Sequence, residues 1–272
     1  MAVIFRRGPS KLVEVIRWDL AHDAFERGHW FHGRIYEKRC DLSPDGELLV
    51  YFASKFTRHT VADREYTYAW TAVSRAPWLT ALALWPKGDC WWGGGLFLGK
   101  RTLWLNHRPE EATPHPAHRP TKLRVEPNPD ARGENEPIYR RRLERDGWGL
   151  RQEWVTEWRG LGPGYRTIAP DVRVKRSPVG DDGVGVVLER RLDSLKYRER
   201  FRIEGAENEP EVPPGPLDWL DWDPGGRLIA LSGGRIWAAP VAGRRVERFS
   251  ELLDLRGDRF EEREAPAYAR EW

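Results

Sequence analysis

Histidines in two short clusters are the residues of this sequence best suited to bind a metal ion. Three of them lie near the N-terminus: His22, His29 and His32. Further along, His107 precedes an H-x-x-H pair, His115 and His118, with Glu110 and Glu111 between them. Zinc needs three or four nitrogen, sulfur or oxygen ligands within tetrahedral reach. No cysteine lies near either cluster, and the pair falls in a proline-rich segment, so we expect no metal and no cofactor.

Aspartates next to predicted turns are the candidates for sugar-cleaving chemistry. Glycoside hydrolysis uses two carboxyl groups about 5–10 Å apart, one of which acts as a general acid. Five aspartates have suitable positions: Asp41, Asp89, Asp171, Asp218 and Asp221. Aspartate is also a common turn residue, and no further motif marks these five as catalytic. We therefore expect them to form turns, with a catalytic pair as the alternative.

Neither a nucleophile nor a phosphate-binding loop is indicated. Ser232 lacks the strand-to-helix turn that exposes a nucleophilic serine. A glycine triplet at 93–95 is followed by a strand-like segment, whereas a phosphate loop continues into Lys-Ser/Thr and a helix. Cys40 and Cys90 fall in apolar strand-like segments, which predicts buried thiols of low reactivity. The sequence leaves enzyme activity open but favours a protein without it.

The charge of the chain is nearly balanced. Its 272 residues include 45 basic and 42 acidic side chains, and the formal net charge is +3. Charge signs alternate along segments such as 189–209, which we interpret as a solvated surface of mixed charge. A nucleic-acid partner is therefore not expected. It would require the arginines of 139–145 and 151–176 to gather on one face.

The sequence carries no sign of export or membrane insertion. Its first residues lack the apolar stretch of a secretion signal. No window approaches the ~18 apolar residues that span a bilayer, and two cysteines are few for a disulfide-stabilised secreted protein. We expect a cytoplasmic protein with no membrane partner.

A proline–glycine turn recurs along the chain at intervals of about 40–50 residues, a period typical of β-propellers. Clear copies lie at 43–46 (SPDG), 85–88 (WPKG) and 223–226 (DPGG), and degenerate copies lie at 129–133 and 177–180. Proline presets φ early in such a turn, and glycine accepts a positive φ later in it. The recurrence therefore predicts repeated pairs of strands.

Strand patterns flank these turns. They cover residues 11–20, 33–42, 47–53 and 65–75, and the apolar run at 47–53 predicts a strand buried on both faces. Helical patterns are weak and are confined to 20–28, 140–147 and 249–255. We expect most of the 15 tryptophans to pack between sheets, with a sugar- or peptide-binding platform as the alternative.

The turns with their flanking strands resemble WD40-like and TolB-like β-propeller repeats. The likeness is strongest at 43–52 and 223–237. The Trp-Asp dipeptide of the WD40 family does not close the blades here, since Trp222-Asp223 leads into its turn and does not end a blade. The resemblance implies a fold and says little about function.

We expect an all-β fold consisting of a single β-propeller over residues 1–272, with five blades and with six as the alternative count. The N-terminal strand at 11–20 is expected to pair with C-terminal strands and close the ring, which would remove exposed sheet edges. Residues 107–137 are rich in proline and charge, and we interpret them as a surface excursion that contains one short strand at 121–126.

The function expected from these features is that of a non-enzymatic scaffold. It would mediate protein–protein interaction within a bacterial-type cytoplasmic complex. Long irregular segments in folded domains are often functional, so we predict that the partner contacts the excursion: His107, His115, His118, Arg119 and Lys122. The alternative is a carbohydrate-binding or carbohydrate-cleaving propeller with a small sugar ligand at the mouth of its channel.

Overall fold

Five small β-sheets form the blades of an all-β, five-bladed β-propeller, which confirms the predicted fold class and blade count. The computed structural model describes residues 1–9, 11–131, 133–158, 165–179, 183–193 and 196–272. These residues divide into two units: Met1–Arg142 with Arg259–Trp272, and Leu143–Asp258. The described helices α1 (Arg58–Ala62) and α2 (Glu136–Arg145) are too short to cross a membrane.

The first unit contains blades 1 to 3. Blade 1 has three antiparallel strands: β1 (Ala2–Arg7), β2 (Leu12–Asp19) and β3 (Ala24–His32). Blade 2 has five: β4 (Arg34–Ile35), β5 (Asp41–Leu42), β6 (Leu48–Ser54), β7 (Ala69–Arg75) and β8 (Ala83–Pro86). Blade 3 has β9 (Gly95–Gly99), β10 (Thr102–Leu105) and β11 (Arg124–Pro127), and β11 runs parallel to β10. Single 3-10 turns lie at Glu37–Arg39, Pro109–Glu111 and Ala267–Arg270.

Blade 2 is held between two hydrophobic cores. All seven residues of β6 are buried, as the apolar run in the sequence predicts. Because side chains alternate along a strand, Leu49 and Tyr51 lie in one core with residues of blade 1. Leu48 and Val50 lie in a second core with residues of blade 3.

The second unit contains blades 4 and 5. Blade 4 has six strands: β12 (Gly149–Gln152), β13 (Val155–Trp158), β14 (Tyr165–Ala169), β15 (Asp171–Arg176), β16 (Gly185–Asp193) and β17 (Lys196–Glu204). Blade 5 has β18 (Leu217–Trp222), β19 (Leu228–Ser232), β20 (Arg235–Ala239) and, after a ribbon of β21 (Val241–Ala242) and β22 (Arg245–Val246), β23 (Ser250–Asp254).

Of the 14 tryptophans whose burial is described, 13 are buried or partly buried, in agreement with the sequence. Six are at most 8% exposed: Trp18, Trp78, Trp85, Trp104, Trp148 and Trp222. Trp91 is the clear exception, because 67% of it is exposed.

The recurring turns occupy two kinds of position. The turn at 43–46 joins β5 to β6 and the turn at 223–226 joins β18 to β19, both inside a blade. The turn at 85–88 instead begins in the last two residues of β8, and the turn at 129–133 follows β11, where the chain leaves a blade; Arg132 lies outside the described residues. The turn at 177–180 lies between β15 and β16, and Gly180 lies outside the described residues. Glycine is needed in both settings, since Gly46 and Gly88 have φ values of +73° and +74°.

The predicted pairing of N- and C-terminal strands is not present in the described sheets and is corrected here. β1 pairs with β2, and β23 pairs with β20 in another blade. The C-terminal segment 259–272 contacts blade 1 through side chains instead. Arg263 Nη1 donates to Glu14 Oε1 and to Gly28 O, each at 3.0 Å. Glu14 is fully buried, so Arg263 fixes this segment by satisfying a carboxylate that water cannot reach.

Two of the three predicted helices are strands. Residues 20–28 run into β3 and residues 249–255 contain β23. In both places pairing with a neighbouring strand overrides the local preference for helix. The third segment, 140–147, overlaps α2 and is confirmed in part.

Ser43 caps the turn before β6, and its removal tests how far that turn stabilises the fold. Ser43 Oγ accepts a hydrogen bond from the buried Leu48 N–H at 2.9 Å. We expect Ser43→Ala to lower the free energy of unfolding by about 1–3 kcal/mol, because a buried donor loses its acceptor. Urea denaturation measures this change. The control variant Ser250→Ala, at an exposed serine, should change the free energy of unfolding by less than ~0.5 kcal/mol. If the two variants changed it equally, the capping role of Ser43 would be contradicted.

Candidate functional site

Residues 107–137 are part of blades 2 and 3. β11 forms the outer strand of blade 3 beside β10. The H-x-x-H stretch adds to the edge of β8, where His115 N–H donates to Leu84 O and Leu84 N–H donates to His118 O. The segment therefore supplies main-chain hydrogen bonds to two sheet edges, in addition to presenting side chains at the surface.

His107 lies in the core of the first unit, with no exposed surface. Gly94 N–H donates to Thr71 Oγ1 at 2.7 Å, which leaves the Thr71 hydroxyl to donate to His107 Nε2 at 2.8 Å. His107 Nδ1 then donates to Glu111 O at 3.3 Å. Burial lowers the pKa of His107 to about 4. The neutral ring is thus fixed between three backbone segments and does not reach a partner in this conformation.

His115 is also buried, and its hydrogen bonds define its tautomer. Nδ1 accepts from Ala117 N–H at 3.1 Å, so Nε2 carries the proton and donates to Glu65 Oε1 at 3.0 Å. Its ring stacks on Tyr66 with centroids 4.2 Å apart. Only Tyr66, which is 38% exposed, brings this stack to the surface.

His118 lies beside this stack. Its Nδ1 donates to Ala81 O at 3.0 Å, and its Nε2 lies 3.5 Å from the Tyr66 hydroxyl. Within the described ranges, no group of three or more His, Cys, Asp or Glu residues is arranged to hold a metal ion.

Arg119 and Lys122 contact the C-terminal segment of the same chain. Trp272 Nε1 donates to Arg119 O at 3.2 Å, and Lys122 Nζ donates to Trp272 O at 2.8 Å. The predicted contact residues thus lie in three places in the first unit: a buried ring, an aromatic stack and a clasp on Trp272.

A different group, the Trp91 loop of residues 87–94, has the features of a contact site. Lys87 is only 2% exposed in its side chain, and its Nζ binds Asp89 Oδ2 at 2.6 Å and Glu111 Oε2 at 3.2 Å. The Trp92 ring lies 4.4 Å from Lys87 Nζ and 4.5 Å from Arg108 Cζ. Trp92 Nε1 also donates to Glu111 Oε2 at 2.5 Å. These cation–π contacts and hydrogen bonds fix the base of the loop.

Trp91 projects from this fixed base. Its backbone N–H donates to Asp89 Oδ1 at 3.0 Å, while its side chain stays exposed. Arg108 joins the loop to a shallow depression of about 340 Å³ lined by five residues of the segment 107–137: Arg108, Glu110, Pro129, Asp130 and Ala131. An exposed indole thus lies on a loop next to a polar hollow.

The sequence assigned this loop to a strand, which is corrected here. β9 begins only at Gly95, and Cys90 is partly exposed. Cys40 is buried as expected, and burial raises its pKa to about 12. The signal that could have located the loop is the sequence Trp91-Trp92 followed directly by three glycines, since glycines there favour a turn.

Four of the five candidate aspartates are committed to structural bonds. Asp41 accepts from Phe97 N–H, Asp89 binds Lys87, Asp171 binds Arg173 and Asp221 binds Lys175. Burial raises the pKa of Asp221, and Lys175 Nζ at 2.7 Å opposes that rise. Asp218 is exposed on β18.

This chain matches no protein-family model, and a search of curated proteins finds no significant similarity. Function is therefore argued from the geometry of the molecule.

The lowered pKa of His107 predicts that the protein loses stability in acid. The unfolded ring titrates near pH 6.5 and the folded ring near pH 4. Between these values only the unfolded chain takes up the proton, so stability falls as the pH drops from about 6.5 towards 4, by roughly 3 kcal/mol at most. Urea unfolding from pH 7 to pH 4.5 measures this dependence.

His107→Gln should be less stable at pH 7 but should lose less stability on acidification. The exposed His22, whose pKa is raised by its hydrogen bond to Asp19, is the control. His22→Gln should leave the acid loss in place. The same pH dependence in wild type and His107→Gln would show that another group causes it.

Proposed function

We propose that this propeller is a non-enzymatic scaffold that binds a protein partner through the Trp91 loop, within a bacterial-type cytoplasmic complex. The observation that carries the proposal is the 67% exposure of Trp91 on a loop with a fixed base. Tryptophan and arginine supply much of the energy at protein interfaces. Arg108 contacts the ring of Trp92, the residue next to Trp91, so both types belong to this cluster.

The fixed base supports recognition because it limits the entropy lost on binding. Lys87 is held by two carboxylates and by the Trp92 ring, and Arg108 contacts the same ring. Trp91 is attached to this cluster through Asp89. The partner would therefore meet a loop whose backbone is already arranged.

The carboxylates of the cluster favour binding over catalysis. Asp89 and Glu111 share Lys87 Nζ, and Glu111 also accepts from Trp92 Nε1. Both carboxylates are thus engaged in ion pairs and hydrogen bonds that hold the loop together, whereas a general acid or base has to be placed so that it reaches a substrate. The depression beside the loop is at the small end of the range of ligand pockets.

The resemblance of the turns at 43–46 and 223–226 to WD40-like and TolB-like repeats is consistent with a scaffold. It adds no residue to the contact. The segment 107–137 keeps the role proposed for it from the sequence, but through Arg108, Glu110 and residues 129–131 in place of its histidines.

Carbohydrate binding is the second candidate, and Trp91 also favours it. An exposed indole, on a loop whose Trp92 contacts Arg108 of the depression lined by Glu110 and Asp130, could stack on a sugar ring. In both candidate functions Trp91 contacts the ligand. The two are distinguished by whether a protein or a carbohydrate requires Trp91 for binding.

Trp91→Ala tests the proposal. We expect the variant to lose binding to its protein partner by roughly 30-fold, the effect of an interface hot spot of about 2 kcal/mol. Quantitative pull-down from the native cell identifies the partner, and titration with the purified partner measures the affinity. A single substitution is better than deletion of 107–137, because the deletion would also remove β11 and the buried His107.

Phe56→Ala is the matched control, since Phe56 is an aromatic residue of the same unit with 58% exposure. It should bind like wild type, and both variants should unfold within ~0.5 kcal/mol of wild type. Proteins captured equally by wild type and Trp91→Ala would contradict the proposed contact. Trp91-dependent binding to a glycan array, without a Trp91-dependent protein, would favour the sugar-binding function.

A further inference from the structure

Alternating charge along a β-strand separates the charges onto two faces. Successive side chains of a strand point to opposite sides. In β17, Arg198, Arg200 and Arg202 are exposed, whereas Glu199 and Phe201 between them are more buried. In the sequence, the alternating charge signs indicate a balanced surface. In the sheet, the same residues form a row of arginines on one face.

Other strands of the same sheet extend this row. Arg191 of β16 lies opposite Arg198, and Glu189 lies opposite Arg200. Arg176 of β15 lies opposite Gly185, which in turn lies opposite Glu204 of β17. From β12, Arg151 reaches Glu204 with both terminal nitrogens. We call this set the arginine face: Arg151, Arg176, Arg191, Arg198, Arg200 and Arg202.

The acidic residues on this face do not balance it. Glu204 is shared by Arg151, Arg176 at 3.3 Å and Arg202 at 3.5 Å. Glu189 pairs with Arg191 at 2.7 Å. Among the side chains that the structure describes on this face, six arginines and two glutamates leave a surplus of four positive charges.

Two arginines of the face are unneutralised. Arg198 and Arg200 make no ion pair with any residue in the described part of the chain. Like charges directly opposite each other in a sheet are destabilising, so the cross-strand pair of Arg191 and Arg198 weakens blade 4. Because this arginine pair does not stabilise the sheet, its presence points to a bound anionic ligand.

Two further described carboxylates of these strands, Glu199 and Asp171, serve the opposite face. Glu199 lies opposite Arg190, with oxygen and nitrogen 3.4 Å apart. Asp171 binds Arg173 at 3.1 Å, and both arginines of that face are about 1% exposed. Buried arginines need these acids as partners, so the acids are not available to neutralise the exposed face.

We propose that the arginine face of blade 4 binds the phosphate backbone of nucleic acid, independently of base sequence. Guanidinium groups bind phosphate through paired hydrogen bonds. Alternate residues of a strand recur every ~6.8 Å, so Arg198, Arg200 and Arg202 form a regular line of positive charge that suits a linear polyanion. Among the described side chains of β15, β16 and β17, those on this face include no aromatic ring, and contacts to phosphate carry no information on base sequence.

This site is separate from the Trp91 loop and belongs to the second unit. The sequence set the condition that the arginines of 139–145 and 151–176 gather on one face, and that condition is met only in part. Arg151 and Arg176 join the arginine face, whereas Arg141 stacks on Trp104 and Arg142 donates to Glu37 O in the first unit.

Fluorescence anisotropy with a labelled 20-nucleotide single strand, as DNA and as RNA, tests the proposal between 50 and 200 mM NaCl. We expect wild type to bind with an affinity that falls steeply with salt, by a log–log slope of about −0.7 for each phosphate contact. Replacing Arg198, Arg200 and Arg202 by Gln should reduce that slope by about 2 and weaken binding at 50 mM NaCl more than 10-fold. Replacing the same three by Lys should retain most of the binding, since the charge stays.

The matched control removes three exposed arginines of the first unit: Arg101, Arg119 and Arg124, each replaced by Gln. It has the same net charge as the blade 4 variant and should bind within about 3-fold of wild type. Thermal unfolding checks that all variants are folded. Absence of salt-dependent binding by wild type, or equal loss in the control, would overturn the proposal. So would competition by poly-glutamate as effective as that of an oligonucleotide of equal charge, which would identify an acidic protein as the ligand.

Discussion

Side chains along a β-strand point alternately to its two sides, and each blade of this protein has to place both sides in a suitable environment. β6 has apolar residues at every position, so Leu49 packs towards blade 1 and Leu48 towards blade 3. β17 has alternating charges, so Glu199 pairs with the buried Arg190 while Arg198 and Arg200 face solvent. The same geometric rule produces the hydrophobic cores of the first unit and the arginine face of the second.

The exposed Trp91 depends on charges that are buried beneath it. A lysine as inaccessible as Lys87 is unfavourable unless acidic groups compensate for its lost hydration. Asp89 and Glu111 supply that compensation, and the backbone of Glu111 also accepts from His107. The loop, the core histidine and the segment 107–137 therefore form one connected polar structure, which explains how a surface residue is held in place by interior bonds.

Local patterns predicted much of the fold. The strands at 11–20, 47–53 and 65–75 and the count of five blades follow from alternation and from recurring turns. The position of each turn within a blade does not follow, because Gly46 and Gly88 meet the same backbone requirement in different places. β3 and β23 were missed because their residues favour helix locally, and only pairing with β2 and β20 makes them strands. For the candidate site, the sequence indicated the segment 107–137 but selected its histidines, whose burial depends on residues as distant as Thr71 and Glu65.

By itself, then, the sequence determined the all-β class, the period of the repeat and the strand buried on both faces, because turn geometry and side-chain alternation act between near neighbours in the chain. The tertiary structure decided which charged and aromatic residues reach solvent. Trp91 stays exposed while Trp92 is held by Lys87 and Arg108, although the two tryptophans are adjacent in sequence. Arg198 is exposed while Arg190 is buried, because strand pairing sets the face of each residue. Burial and ion pairing join residues far apart in the chain, and composition does not contain that information.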